Sequence, residues 1–149
     1  MKNFFKKYFM LYFIPTMLVI CADANNNIAA ITIDTLYHTN GNISEIRNLE
    51  EGKLNGYSYF FHPSGELKSK LYFVNDLQED SSFTYHKNGR LRSSYLMEEG
   101  LVQGRCTIFY GNGDTMESGE FYNSMRAGLW TYFDSLGNKI QTLNGYTIN

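Results

Sequence analysis

His38-Thr-Asn-Gly41, His62-Pro-Ser-Gly65 and His86-Lys-Asn-Gly89 are near copies of one another, and their glycines continue as Gly113 and Gly137, each 24 residues after the last. Other positions keep the same step. An aromatic residue stands four before each glycine: Tyr37, Phe61, Tyr85, Phe109 and Phe133. Ile43, Leu67 and Leu91 stand two after it, and Leu49, Phe73, Met97 and Phe121 eight after it. Gly56, Asp80, Gly104 and Gly128 follow by fifteen. One period shared by so many positions marks tandem repeats, four full units over residues 33–128 and a fifth that fades after Gly137.

Each unit reads as a β-hairpin. Tyr57–Phe61 is a short aromatic strand, His62–Gly65 a turn with Pro and Gly where a β-turn uses them, and Leu67–Phe73 a second strand. Val74–Asp80 reads as a longer turn back. Asn-Gly at 40–41, 88–89 and 112–113 is a strong hairpin signal. The predicted fold class is all-β: an elongated single-layer antiparallel meander of tandem 24-residue hairpins, about ten strands, each unit held mainly by its neighbours. Ile28–Ile33 is expected to cap the N-terminal end. After Gly137 the pattern is too short to complete a hairpin cleanly.

Alternation along the strands assigns faces. It puts Tyr59/Phe61, Phe83/Tyr85, Thr107/Phe109 and Thr131/Phe133 on one apolar face, together with the positions two and eight after each glycine. The other face carries Ser58, Phe60, Ser82 and Thr84. Trp130 and Tyr132 fall on that second face and are predicted to form a contact surface, since Trp and Tyr join an apolar body to a polar tip.

Met1–Ala24 differs from the rest. Lys2, Lys6 and Lys7 precede the largely apolar, uncharged Tyr8–Cys21, and Ala22-Asp23-Ala24 is a small-x-small site before Asn25. This is the layout of a secretory signal peptide (residues 1–24) cleaved between Ala24 and Asn25, leaving 25–149 as the repeat domain. A second reading is a lipoprotein: Leu18-Val19-Ile20-Cys21 resembles a lipobox whose Cys21 is lipidated, although Ile20 stands where a small residue is usual. A third reading is an uncleaved anchor, and each version exports the domain to the periplasm, the cell surface or the medium.

Composition narrows the function classes. Hydrophobic residues at 43% exclude a disordered chain, and a net charge of −2 lacks the basic surplus of a nucleic-acid binder. Removing residues 1–24 takes three Lys and Asp23 from 13 basic and 15 acidic residues, which leaves −4 and disfavours anionic lipid surfaces. His38, His62 and His86 occupy equivalent turns about 9–10 Å apart at two strand spacings. Zinc ligands lie only about 3.3 Å from one another, so these are expected to be polar turn residues and not a metal site. Glu50-Glu51 and Glu98-Glu99 are two repeats apart, on the order of 19 Å, too far for a glycosidase pair. Cys106 reads as a small strand residue. No motif for an enzyme or a cofactor is present, so none is predicted.

Phe61-His-Pro-Ser-Gly-Glu-Leu67, Tyr85-His-Lys-Asn-Gly-Arg-Leu91 with Gly100-Leu-Val-Gln-Gly104, and Phe109-Tyr-Gly-Asn-Gly113 through Gly128-Leu-Trp130 resemble the MORN-repeat variant family over residues 35–140. The resemblance implies a sheet of hairpins used for binding or scaffolding. Some bacterial members are labelled membrane-binding proteins and others antitoxins of a YwqK type. Asp76, Asp80 and Ser124 replace glycines of the pattern, so the second and fourth long turns are expected to differ from the others. The function expected is an exported, non-enzymatic module that binds another protein or acts as a scaffold at the cell envelope. The alternatives are a lipid- or glycan-binding envelope protein and the antitoxin-like member of a pair.

Overall fold

Gly41, Gly65, Gly89, Gly113 and Gly137 all close the same turn. In each, the glycine N–H donates to the carbonyl three residues back, and that earlier residue's N–H donates to the carbonyl just past the glycine, as His62 does to Glu66 at 2.8 Å. The glycine sits at φ between 80° and 102°, a conformation that side chains resist. The computed structural model describes residues 17–22 and 28–145. Its strands are β1 (Met17–Ala22), β2 (Ile28–Tyr37), β3 (Ile43–Glu50), β4 (Lys53–Leu54), β5 (Gly56–Phe61), β6 (Leu67–Val74), β7 (Leu77–Tyr85), β8 (Leu91–Glu98), β9 (Leu101–Phe109), β10 (Thr115–Tyr122), β11 (Met125–Phe133) and β12 (Lys139–Asn144).

They form one open antiparallel sheet in chain order, with β4 a two-residue extension paired to β3. The all-β hairpin meander expected from the repeat is therefore the observed fold. Three details differ. The long turns are two-residue type I′ turns: Glu51-Gly52, Asn75-Asp76, Glu99-Gly100 and Asn123-Ser124 all have positive φ at both positions. Residues after Asp76 belong to β7, not to a loop. The second and fourth turns also match the others: Asn75, Asp76 and Asn123 are residue types that tolerate the left-handed region, and Ser124 adopts it at φ 63°. Asp76 Oδ1 accepts from Leu54 N–H at 2.7 Å, and Ser124 Oγ from Val102 N–H at 3.0 Å. Finally, the fifth unit does complete a hairpin, since β12 pairs with β11 from Leu129↔Asn144 to Phe133↔Lys139.

Each second strand carries one extra residue just after its turn. Phe60 faces Ser69 while Phe61 faces Leu67, leaving Lys68 bulged. Ser44, Arg92, Met116 and Ile140 are bulged in the same way. An inserted residue reverses which face every later side chain occupies. The positions eight after each glycine therefore lie on the face of Ser58 and Ser82, not on the face of Phe61 and Tyr85. All six buried residues of the described chain share that face: Ser58, Ser82, Met97, Cys106, Glu117 and Trp130. The side expected to be solvated is the one that holds the core.

Side chains tie turn to turn. Asn40 donates to Pro63 O, Asn88 to Gly111 O and Asn112 to Ser135 O, at 2.7–2.8 Å. His38 and His86 place a ring nitrogen 3.0 and 2.9 Å from the carbonyls of Phe61 and Phe109, and Tyr110 OH donates to Phe133 O at 2.8 Å. In the second unit Ser64 holds the Asn position and bonds Glu66 instead.

Candidate binding groove

The repeat position seven before each glycine forms a row across the buried face: Asp34, Ser58, Ser82, Cys106 and Trp130. Its size decides what the face can hold. Ser58 and Ser82 are fully buried because the opposing Leu71 and Tyr95 lie over small side chains. At Trp130 the row becomes large and the strand opposite becomes bare. A Cβ on Gly119 would lie 2.4 Å from the indole Cδ2, so only glycine admits the ring.

Trp130 is accordingly 1% exposed. Its Nε1 donates to Glu120 O at 3.1 Å, Phe121 meets it edge-on at 5.1 Å, and the Arg126 guanidinium lies 3.9 Å from the ring. Arg126 also donates to Tyr132 OH at 2.6 Å and pairs with Glu117 at 2.9 Å. Glu117 is nearly buried, and this pair offsets the desolvation of its carboxylate. Trp130 and Tyr132, expected at a contact surface, are thus the anchor of the fifth unit. The bulge that reverses the faces is the physical reason for that correction.

One unit earlier the same face is open. Tyr95, Met97, Val102, Cys106, Ile108 and Phe121 line a groove of about 290 Å³, with Ser93 at its edge. Cys106 is its floor, where the next unit has an indole. Burial pushes the Cys106 thiol above its ordinary range, the Glu117 carboxylate adds to that and Arg126 opposes it. The thiol is therefore held in its protonated form, as a buried strand side chain. Toward the turns the groove widens into a more polar hollow of about 680 Å³ that adds Thr84, His86, Tyr110 and Glu117.

Among the described residues no three His, Cys, Asp or Glu side chains are placed to hold a metal ion. At the N-terminal end of the same face Arg47 pairs with Asp34, while Arg47 Nε and Ser58 Oγ are buried without a partner. Cys21 lies in β1 opposite Ala29. Ala24 and Asn25, and with them the cleavage site, lie outside the described residues. Of the groove only Cys106 and the apolar positions Met97 and Phe121 had been singled out from the sequence, and none as a site. The available signal was the row itself, since small residues at 58, 82 and 106 followed by a Trp at 130 mark a closely packed position and not a solvated one. No protein-family profile and no curated protein of known function matches the chain.

Proposed function

We propose that this chain is an exported, non-enzymatic repeat module that binds a protein partner at the cell envelope, with the groove over Cys106 as its contact face. The observation that carries this reading is the groove's composition: six apolar or aromatic side chains around an open hollow, on a sheet that has no second layer among the described residues. Exposed concavities of this kind, apolar with a polar margin, suit a partner's apolar side chains. Hairpin repeats resembling the MORN-variant family support a binding or scaffolding role by analogy of fold alone. The charged n-region, apolar stretch and small-x-small site of residues 1–24 support export.

The test is a pull-down from envelope extract with the processed chain, run beside liposome and glycan-array binding. The reading expects one saturable protein partner, competed by excess untagged chain, and no binding to vesicles or glycans. Binding to vesicles or glycans without a competable protein would replace it with the lipid or glycan alternative.

A further inference from the structure

The two ends of the sheet are complementary. Within the chain, the second strand of each unit pairs with the first strand of the next in one repeated register. Glu45 faces Phe60, Ser69 faces Thr84, Ser93 faces Ile108 and Glu117 faces Tyr132. On the opposite face the same joints set Ile46 against Tyr59, Lys70 against Phe83, Ser94 against Thr107 and Ser118 against Thr131. β12 is a second strand with no first strand after it among the described residues, and its Gln141 and Thr142 hold the positions of Glu117 and Ser118. β2 is a first strand, and its Leu36 and Thr35 hold the positions of Tyr132 and Thr131.

The outer edge of β2 accepts a strand, because β1 lies along it. Yet β1 is out of the repeat register. One 24-residue step back from Glu45 would set Cys21 against Leu36, whereas Cys21 faces Ala29.

We infer that, once residues 1–24 are removed, β12 of one copy pairs with β2 of the next, continuing the repeat lattice from chain to chain. Gln141 then faces Leu36 of the second copy, Thr142 faces Thr35 and, past the register shift that the internal joints carry, Asn144 faces Ile31. Thr against Thr is a favourable cross-strand pair, and no two like charges meet. The joint is heterologous, so each addition leaves both ends open and the product is a run of copies rather than a closed dimer. Lys139 and the bulge at Ile140 confine the joint to the last residues of β12, which makes it weak and dependent on concentration. The inference rests on the export reading in one respect: processing is what clears the edge of β2.

The test uses the full-length chain carrying an engineered protease site across residues 23–27, purified intact and then cleaved in vitro. Light scattering of the cleaved chain should show concentration-dependent species larger than a dimer. The Thr35→Lys/Thr142→Lys variant should need about a fivefold higher concentration for the same association, and Thr35→Lys/Thr142→Glu should restore it. The intact chain should not respond to either pair. A cleaved chain that stays monomeric, stops at a dimer, ignores the charge pairs or loses its sheet by circular dichroism would overturn the inference. Because cleavage is done in vitro, this result is independent of export, which the mass of the natural N-terminus tests separately.

Discussion

The Trp130 indole occupies the space that a side chain at Gly119 would need, with three ring atoms 2.4–2.6 Å from the Cβ that glycine lacks. This single exchange of bulk across two strands anchors the last hairpin. Gly119→Ala should therefore destabilise the chain by about 1–3 kcal/mol through overpacking. Gly111→Ala is the control, since its Cβ would meet nothing nearer than 3.8 Å, and it should stay within about 0.5 kcal/mol. Denaturant melts of both variants decide the matter; equal midpoints would mean that the indole has room to move.

Two serines at one repeat position should respond with opposite signs. Ser82 Oγ accepts a hydrogen bond from Gln78 Nε2 at 2.6 Å, so Ser82→Ala should cost about 0.5–1.5 kcal/mol. Ser58 Oγ is buried without a partner, because Leu54 stands where the next unit has Gln78. Ser58→Ala should be neutral or stabilising. The same unfolding series would show it, and a loss at Ser58 as large as at Ser82 would place a missing partner beside that hydroxyl.

Asp80 is held at φ 58° where the neighbouring units have Gly56, Gly104 and Gly128, all also at positive φ. Among the described residues its side chain accepts one hydrogen bond, from Ser81 Oγ at 3.2 Å. Asp80→Gly should stabilise by about 0.5–1 kcal/mol, the relief of left-handed strain outweighing the entropy of an added glycine. A lower thermal midpoint for this variant would show that the carboxylate holds the strand by a contact other than Ser81.

Period and turn were legible in the sequence; the faces were not. Gly41, Gly65, Gly89, Gly113 and Gly137 located one turn of each unit, since each sits at positive φ; the type I′ turns between units, where Glu51, Asn75, Asp76, Glu99, Asn123 and Ser124 also take positive φ, share no such marker. The bulges at Ser44, Lys68, Arg92, Met116 and Ile140 share no residue type, so alternation counted through them assigns the far half of each second strand to the wrong side. Trp130 then looked solvent-facing because its row-mates are Ser58, Ser82 and Cys106. Those residues are small for lack of space, not polar for contact with water. Groove residues such as Tyr95 and Ile108 come together only through pairing of separate strands, which no local pattern reports.

The last turn should loosen in acid. Asp134 is held below its ordinary carboxylate range, first by Asn138 Nδ2, then by the backbone N–H groups of Asn138, Leu136 and Gly137. A depressed pKa contributes stability above the unfolded value and loses it as pH falls through the folded one. Amide protection at 136–138, taken relative to the intrinsic exchange rate at each pH, should hold at neutral pH and fall as pH drops below 3.8, and Asp134→Ala should remove that pH step. An unchanged step in the variant would assign it to another carboxylate.

Tyr95 and Leu96 are adjacent in β8 and lie on opposite faces of the sheet, Tyr95 in the groove and Leu96 42% exposed on the far side. A photo-crosslinking residue placed at each in turn, in cells that produce the full chain, asks directly which face meets a partner. Binding through the groove predicts a single discrete protein adduct from position 95, abolished by excess unlabelled chain, and none from position 96. Adducts from position 96 alone, or from both positions alike, would contradict the groove as the contact face.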